Sequence, residues 1–206
     1  MSSYKPNEYS ANATAQASSA GGAYAPTNAT ADAQLGTWFR AVDTDGSGQL
    51  TVHELQRALV NGDWSPFNIE TVRMLVNMYD SDNSGTIGFE EFKGLWHYIE
   101  EWKGCFRTFD HDRSGSVDRQ ELHQALVAFG FNVSPAFVAK LIQKFDRYGT
   151  DVNSNGQGNI TFDNFVQACV TVKTLTDSYR AIDTDHDGWI QISYDQFLDL
   201  VVRQRA

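Results

Sequence analysis

Three twelve-residue segments of this chain repeat one template. They run Asp43-Thr-Asp45-Gly-Ser47-Gly48 to Glu54, Asp80-Ser-Asp82-Asn-Ser84-Gly85 to Glu91, and Asp110-His-Asp112-Arg-Ser114-Gly115 to Glu121. Side-chain oxygens at positions 1, 3 and 5, a backbone carbonyl at 7 (Gln49, Thr86 and Ser116) and a bidentate glutamate at 12 can surround one hard cation, and glycine at 6 permits the sharp turn. A chance acidic surface turn would not repeat at positions 1, 3, 5, 6 and 12 three times over. An oxygen-only ring of this kind suits Ca²⁺.

The flanks carry the matching helices of an EF-hand. Leu35, Trp38, Phe39 and Val42 recur at helical spacing immediately before the first loop, and Leu55, Ala58 and Leu59 follow it until Asn61-Gly62 breaks the pattern. Val72, Leu75, Val76 and Tyr79 enter the second loop. Its exit stripe, Phe92, Leu95, Trp96, Ile99, Trp102, Phe106 and Phe109, runs straight into Asp110, so one long helix serves two hands. The third loop exits through Leu122, Ala125, Leu126 and Phe129. Ser134-Pro135 then supplies an N-cap and a first-turn proline for another entering helix, marked by Val138, Leu141, Ile142 and Phe145.

Two further loops are degenerate. Setting Ile160 at position 8 of a fourth loop puts Gly158 at 6 and Asn164 at 12, but Asp146 to Asn159 is too long for a standard loop. A second framing from Asp151, Asn153 and Asn155-Gly156 puts Phe162 at 12, which cannot chelate. A pairing role is expected for this hand. Phe165, Ala168, Cys169, Val172, Leu175, Tyr179 and Ile182 lead to a fifth loop in which Asp183, Asp185, Asp187 and the Trp189 carbonyl are good early ligands, while Tyr194 stands where the glutamate belongs. Losing a bidentate carboxylate predicts weak binding there.

The reading is therefore all-α, about eight helices with short paired loop strands, with hands at about 34–62, 70–99, 100–130, 136–172 and 173–203. Residues 33–206 form the calcium-binding domain, and residues 1–32, rich in Ala, Ser, Asn and Thr without helical period, read as a flexible tail. Position 8 is apolar in every loop: Leu50, Ile87, Val117, Ile160 and Ile190. These residues are expected to join loops in twos, one with two and three with four. The fifth is left with an open edge, which a two-fold contact with another fifth hand would close.

The formal net charge of −10 argues against nucleic acid, because a surface of that sign repels phosphate. The start lacks the basic and apolar regions of a secretion signal, and no apolar run approaches the roughly 18 residues that span a bilayer. Cys105 and Cys169 lie inside apolar helical stripes and read as buried free thiols. A cytoplasmic location is expected. No paired nucleophile and base and no phosphate loop stands out, so the chain does not read as an enzyme.

The chain resembles the penta-EF-hand family over about residues 34–206, most strongly at Asn61-Gly-Asp-Trp-Ser-Pro-Phe67, Trp96-x-Tyr98-Ile99, Phe106-Arg-Thr-Phe-Asp110, Asp183-Thr-Asp-His-Asp-Gly-Trp-Ile190 and Ser193-Tyr194. Within it these segments look most like the apoptosis-linked adaptor branch. On spacing alone Trp96 and Tyr98 belong to a core; the resemblance implies that Trp96 and Tyr194 line a partner pocket. It also implies dimerisation through the fifth hand, with a second copy or another penta-EF-hand protein. A calcium sensor and adaptor follows, one that takes Pro-rich segments of proteins in membrane trafficking or repair and moves to membranes with Ca²⁺. The alternatives are a Ca²⁺ buffer and a regulatory subunit of a calpain-like enzyme. Three features depart from that branch: a full ligand set in the second loop, an insertion in the fourth, and a tail with little Pro-Gly repetition.

Overall fold

The computed structural model describes residues 28–146 and 158–203. Within them lie eight helices and one two-stranded sheet: α1 Asn28–Val42, α2 Val52–Ala58, α3 Ile69–Tyr79, α4 Phe89–Phe109, β1 Ser116–Val117, α5 Arg119–Ala128, α6 Pro135–Phe145, β2 Ile160–Thr161, α7 Phe162–Arg180 and α8 Tyr194–Arg203. The expected tail overlaps α1, which begins at Asn28, and its first 27 residues lie outside the described part. Among the described residues no helix is long and apolar enough to cross a membrane.

Four of the helices, α2, α3, α5 and α6, start where a side chain satisfies unpaired N–H groups. Thr51, Asn68, Asp118 and Ser134 all cap in this way, and Pro135 occupies the first turn after Ser134. The loops join in twos through position 8. Leu50 and Ile87 exchange backbone hydrogen bonds at 2.8 and 2.9 Å, and β1 pairs antiparallel with β2 in the register Val117 to Ile160 and Ser116 to Thr161. Hands one and two form one pair, hands three and four the other, and Ile190 makes no such bridge among the described residues.

Two helices are shared between hands. The 21-residue α4 leaves loop two and enters loop three, and its stripe Phe92, Leu95, Ile99, Trp102, Phe106 and Phe109 is buried along its full length. Trp102 is wholly enclosed, edge-on to Phe129 at 6.1 Å and to Phe165 of α7 at 5.9 Å. Phe106 stands edge-on to Phe162 and Phe165, so α4 and α7 interlock through aromatic rings in arrangements their quadrupoles favour. The 19-residue α7 behaves differently along its length: Phe165, Ala168, Cys169 and Val172 are buried, whereas Leu175 is exposed. Burial stops where the helix leaves the paired hands and begins the fifth.

Both cysteines are free thiols, Cys169 buried and Cys105 half-buried. Burial pushes the Cys105 thiol up to about 12 and that of Cys169 upward too, so neither ionises near neutral pH. Trp38 and Ala58, on the expected core stripes, are exposed, Trp38 because it lies over Trp96 rather than beneath it.

Truncating the indole at the meeting of α4, α5 and α7 removes the largest fully enclosed side chain. Trp102→Ala is expected to cost about 3–5 kcal/mol, read from urea unfolding of the metal-free protein.

Candidate metal centre

Loops one, two and three are near-copies. In each the first-position aspartate accepts hydrogen bonds from the backbone N–H groups of residues 5 and 6. Asp43 takes Ser47 and Gly48 at 3.0 and 2.9 Å, Asp80 takes Ser84 and Gly85 at 2.9 and 2.8 Å, and Asp110 takes Ser114 and Gly115 at 3.0 and 3.1 Å. The third-position aspartate accepts from the same fifth residue, and the serine hydroxyl there donates to the carbonyl at position 7: Gln49, Thr86 or Ser116. Loops one and two are further tied by the Thr86 hydroxyl donating to the Gln49 side chain. The turn needs left-handed backbone at positions 4 and 6: Gly46, Asn83 and Arg113 at the fourth have φ of 69, 56 and 57°, and Gly48, Gly85 and Gly115 at the sixth 77, 79 and 79°. Glycine relieves the strain at position 6, and asparagine bears it better than most at position 4.

The twelfth-position glutamate is both loop and helix. As the third residue of its exiting helix, it reaches back to the N–H at position 9: Glu54 to Thr51 at 2.9 Å, Glu91 to Gly88 at 2.9 Å and Glu121 to Asp118 at 3.1 Å. Its other oxygen accepts the N–H of position 2, from Thr44, Ser81 or His111 at 2.9, 2.8 and 2.9 Å. One carboxylate thereby clamps both ends of the ring. The hydroxyls of Thr44 and Ser81 also donate to it, and spacing alone gave no sign of that.

These bonds favour the ionised form of Glu54, Glu91, Asp45, Asp82 and Asp112. The Thr51 N–H and hydroxyl, then those of Thr44, hold Glu54 down to about 2. Burial pushes Glu91 up, but the Ser81 and Gly88 donors outweigh it and leave it below its ordinary value. Hydrogen bonds from Ser47, Ser84 and Ser114, hydroxyl first, lower Asp45, Asp82 and Asp112.

One carboxylate oxygen from each of Asp43, Asp45 and Glu54 lies within 4.8 Å of the others, and the same holds for Asp80, Asp82 and Glu91 and for Asp110, Asp112 and Glu121. Oxygens held about 2.3–2.6 Å from a common Ca²⁺ stand at most about twice that apart, so the spacing of these donors is compatible with one shared ion. In the fifth loop Asp183, Asp185 and Asp187 also converge within 4.8 Å, and the Gly188 N–H reaches Asp183 at 3.3 Å. His186 and Gly188 have the left-handed backbone of positions 4 and 6. Among the described residues no glutamate closes this ring: Tyr194 is 74% exposed, and the helix is capped instead by Ser193, whose hydroxyl accepts the Gln196 N–H at 3.3 Å while its own N–H donates to the Gln196 side chain at 2.8 Å. Residues 147–157 of the fourth loop, including the alternative ligands Asp151, Asn153 and Asn155, lie outside the described part. Asn164, its twelfth position, donates to Thr161 and accepts from Asn68.

Of the two pocket residues, Trp96 is half-buried on α4, tilted at 47° against Trp38 with ring centres 4.8 Å apart and near Phe92 at 5.9 Å, with the Lys103 ammonium 5.4 Å from its ring centre. Tyr194 stands exposed at the start of α8.

The loops, their shared glutamate clamp and their pairing define an EF-hand calcium-binding protein. The family model described as an EF-hand domain pair matches residues 32–96 and 99–170. Sorcin of Homo sapiens is 43% identical over 169 residues, 80% of this chain and 80% of its own length. Peflin of Xenopus laevis is 38% identical over 82% of this chain, which spans only 58% of that protein. A solved structure described as a homolog of programmed cell death 6 protein from Leishmania major Friedlin superposes with a TM-score of 0.68 at 35% identity, covering 82% of this chain and 93% of that one. The chain belongs to the penta-EF-hand family of calcium-binding proteins.

Because Glu54 is held at about 2 against an ordinary 4.5, its clamp stabilises the metal-free fold at pH above about 4.5, and that stability is lost as pH falls through about 2. Thermal unfolding midpoints followed from pH 5 to 2 are expected to fall less steeply in Glu54→Gln than in the parent protein.

Proposed function

We propose that this protein is a calcium sensor and adaptor, with the ions held by Asp43, Asp45, Ser47, the Gln49 carbonyl and Glu54 in loop one, by their counterparts in loops two and three, and weakly in loop five. The observation that carries the reading is the double role of Glu54, Glu91 and Glu121, each rooted in an exiting helix while holding the N–H beside the end of the entering one. A bidentate ion drawn onto that carboxylate pulls on the exiting helix, and the first-position aspartate continues the entering helix. Ion binding thus becomes a change in interhelix angle, which shifts the population only by its difference in affinity for the closed and open forms.

The fifth hand supports an adaptor with a paired partner. Trp189, Tyr194, Phe197, Leu198 and Val202 are exposed together on its loop and on α8, an apolar face that a second fifth hand of this or another penta-EF-hand chain would cover. Aromatic side chains such as Trp96 and Tyr194 suit Pro-rich peptides, whose extended backbone is already ordered before binding. Work in the cytoplasm, with movement to membranes as Ca²⁺ rises, belongs to the same proposal.

Calorimetric titration is expected to give affinities in the sensor range of about 10⁻⁷–10⁻⁵ M, lost site by site in Glu54→Gln, Glu91→Gln and Glu121→Gln. A fluorescent hydrophobic probe is expected to brighten on adding Ca²⁺. Heat without brightening would make the protein a buffer. Sedimentation is expected to give a homodimer that Phe197→Asp dissociates; a monomer before substitution would rule out self-pairing.

A further inference from the structure

The two EF-hand pairs meet at a buried carboxylate that the metal sites do not use. Asp163, in the first turn of α7, is 2% exposed. Its carboxylate accepts the backbone N–H of Asn68, which caps α3, at 2.5 Å, and the hydroxyl of Thr161 at 2.5 Å. Its own N–H donates to the Asn61 side chain in the turn between hands one and two, at 3.1 Å. Its carboxyl group therefore sits between the N-termini of two helices, whose N–H groups point toward it. Around it the Thr71 hydroxyl of α3 donates to Gln167 of α7 at 3.2 Å, and the Asn68 amide donates to Asn164 at 3.3 Å. The cavity alongside, bordered by Phe67, Trp102 and Phe162, holds about 10 Å³, room for about one water, so the joint is closely packed.

The same joint reaches loop three. A Cβ on Gly62 would stand 3.7 Å from Gly115 Cα, so the turn of the first pair rests on the sixth residue of loop three, and Asn159 beside β2 donates to the Ser116 hydroxyl at 3.2 Å. Asn164, where a fourth loop would need its chelating glutamate, is committed to this joint instead.

We infer that Asp163 is a pin that binds the entering helix of hand two to the exiting helix of hand four, so that Ca²⁺ seated in loop three raises the affinity of loops one and two. Reorientation of α5 on loop three strains β1, β2 and the start of α7, and the pinned α3 moves with them. Because coupling between sites is reciprocal, ions in loops one and two favour loop three by the same factor.

The inference rests on the sensor reading, and a double-mutant cycle on the full chain tests the two separately. Ca²⁺ affinities of loops one and two are measured by chelator competition in the parent, Glu121→Gln, Asp163→Asn and the double variant, with circular dichroism confirming the fold. Disabling loop three is expected to weaken loops one and two by about fivefold or more when Asp163 is present and by less than about twofold when it is Asn. Equal weakening in both backgrounds overturns the pin, and a lowered unfolding midpoint with that equality identifies Asp163 as structural support alone. If Asp163→Asn does not fold, Thr71→Val, which removes one bond between α3 and α7 at nearly constant volume, takes its place: reduced coupling supports the pin and undiminished coupling overturns it. Absence of Ca²⁺ uptake by the parent would defeat the sensor reading itself.

Discussion

The structure depends on a carboxylate that must serve two backbones at once. Glu54, Glu91 and Glu121 each accept one N–H from the start of a loop and one from the start of a helix, so the loop cannot relax without uncapping the helix. Their geometry follows from the three-residue offset between a helix cap and the first inward-facing side chain beyond it. Where the glutamate is missing, as at Tyr194, the three aspartates still converge, but the following helix is capped by Ser193 and Gln196 in place of a carboxylate shared with the loop. The fifth hand is thus a loop and a helix standing side by side, and its apolar face stays uncovered.

Sharing helices between hands turns a row of local motifs into one body. Because α4 ends one loop and begins the next, its tilt cannot suit hand two without also setting hand three, and the aromatic contacts of Trp102 and Phe106 carry that tilt into α7. The burial of α7 changes midway for the same reason: its first half belongs to a completed pair and its second to an unpaired hand. The contrast between Val172, buried, and Leu175, exposed, marks the boundary.

Much of this is written locally in the chain. Spacing of Asp, Gly and Glu locates the loops, the apolar period of α4 shows that one helix serves two hands, and the apolar side chain at position 8 marks the residues through which loops one to four pair. Local pattern fails where contacts are distant. Asp163 is an unremarkable acidic residue in the first turn of a helix, and its meeting with Asn68 joins positions 95 residues apart. Trp38 shows a second kind of failure: a helical period gives the side of the helix a residue occupies, but not whether the neighbour on that side lies deeper, as Trp96 does. The start of α1 at Asn28 is a third, since Ala, Thr and Asn carry no apolar period to announce a helix.

The fourth residue of each loop needs only a left-handed backbone, and its side chain points to water: Gly46, Asn83, Arg113 and His186 are all exposed. A position fixed in conformation and free in chemistry lets otherwise matching rings differ in field. Loop three carries an exposed guanidinium at this position where loop one has none, and a like charge there opposes an incoming cation, modestly and in a salt-dependent way, without touching a single coordinating oxygen. Among hands built to the same mould, the sequence of occupancy can therefore be graded by bystanders.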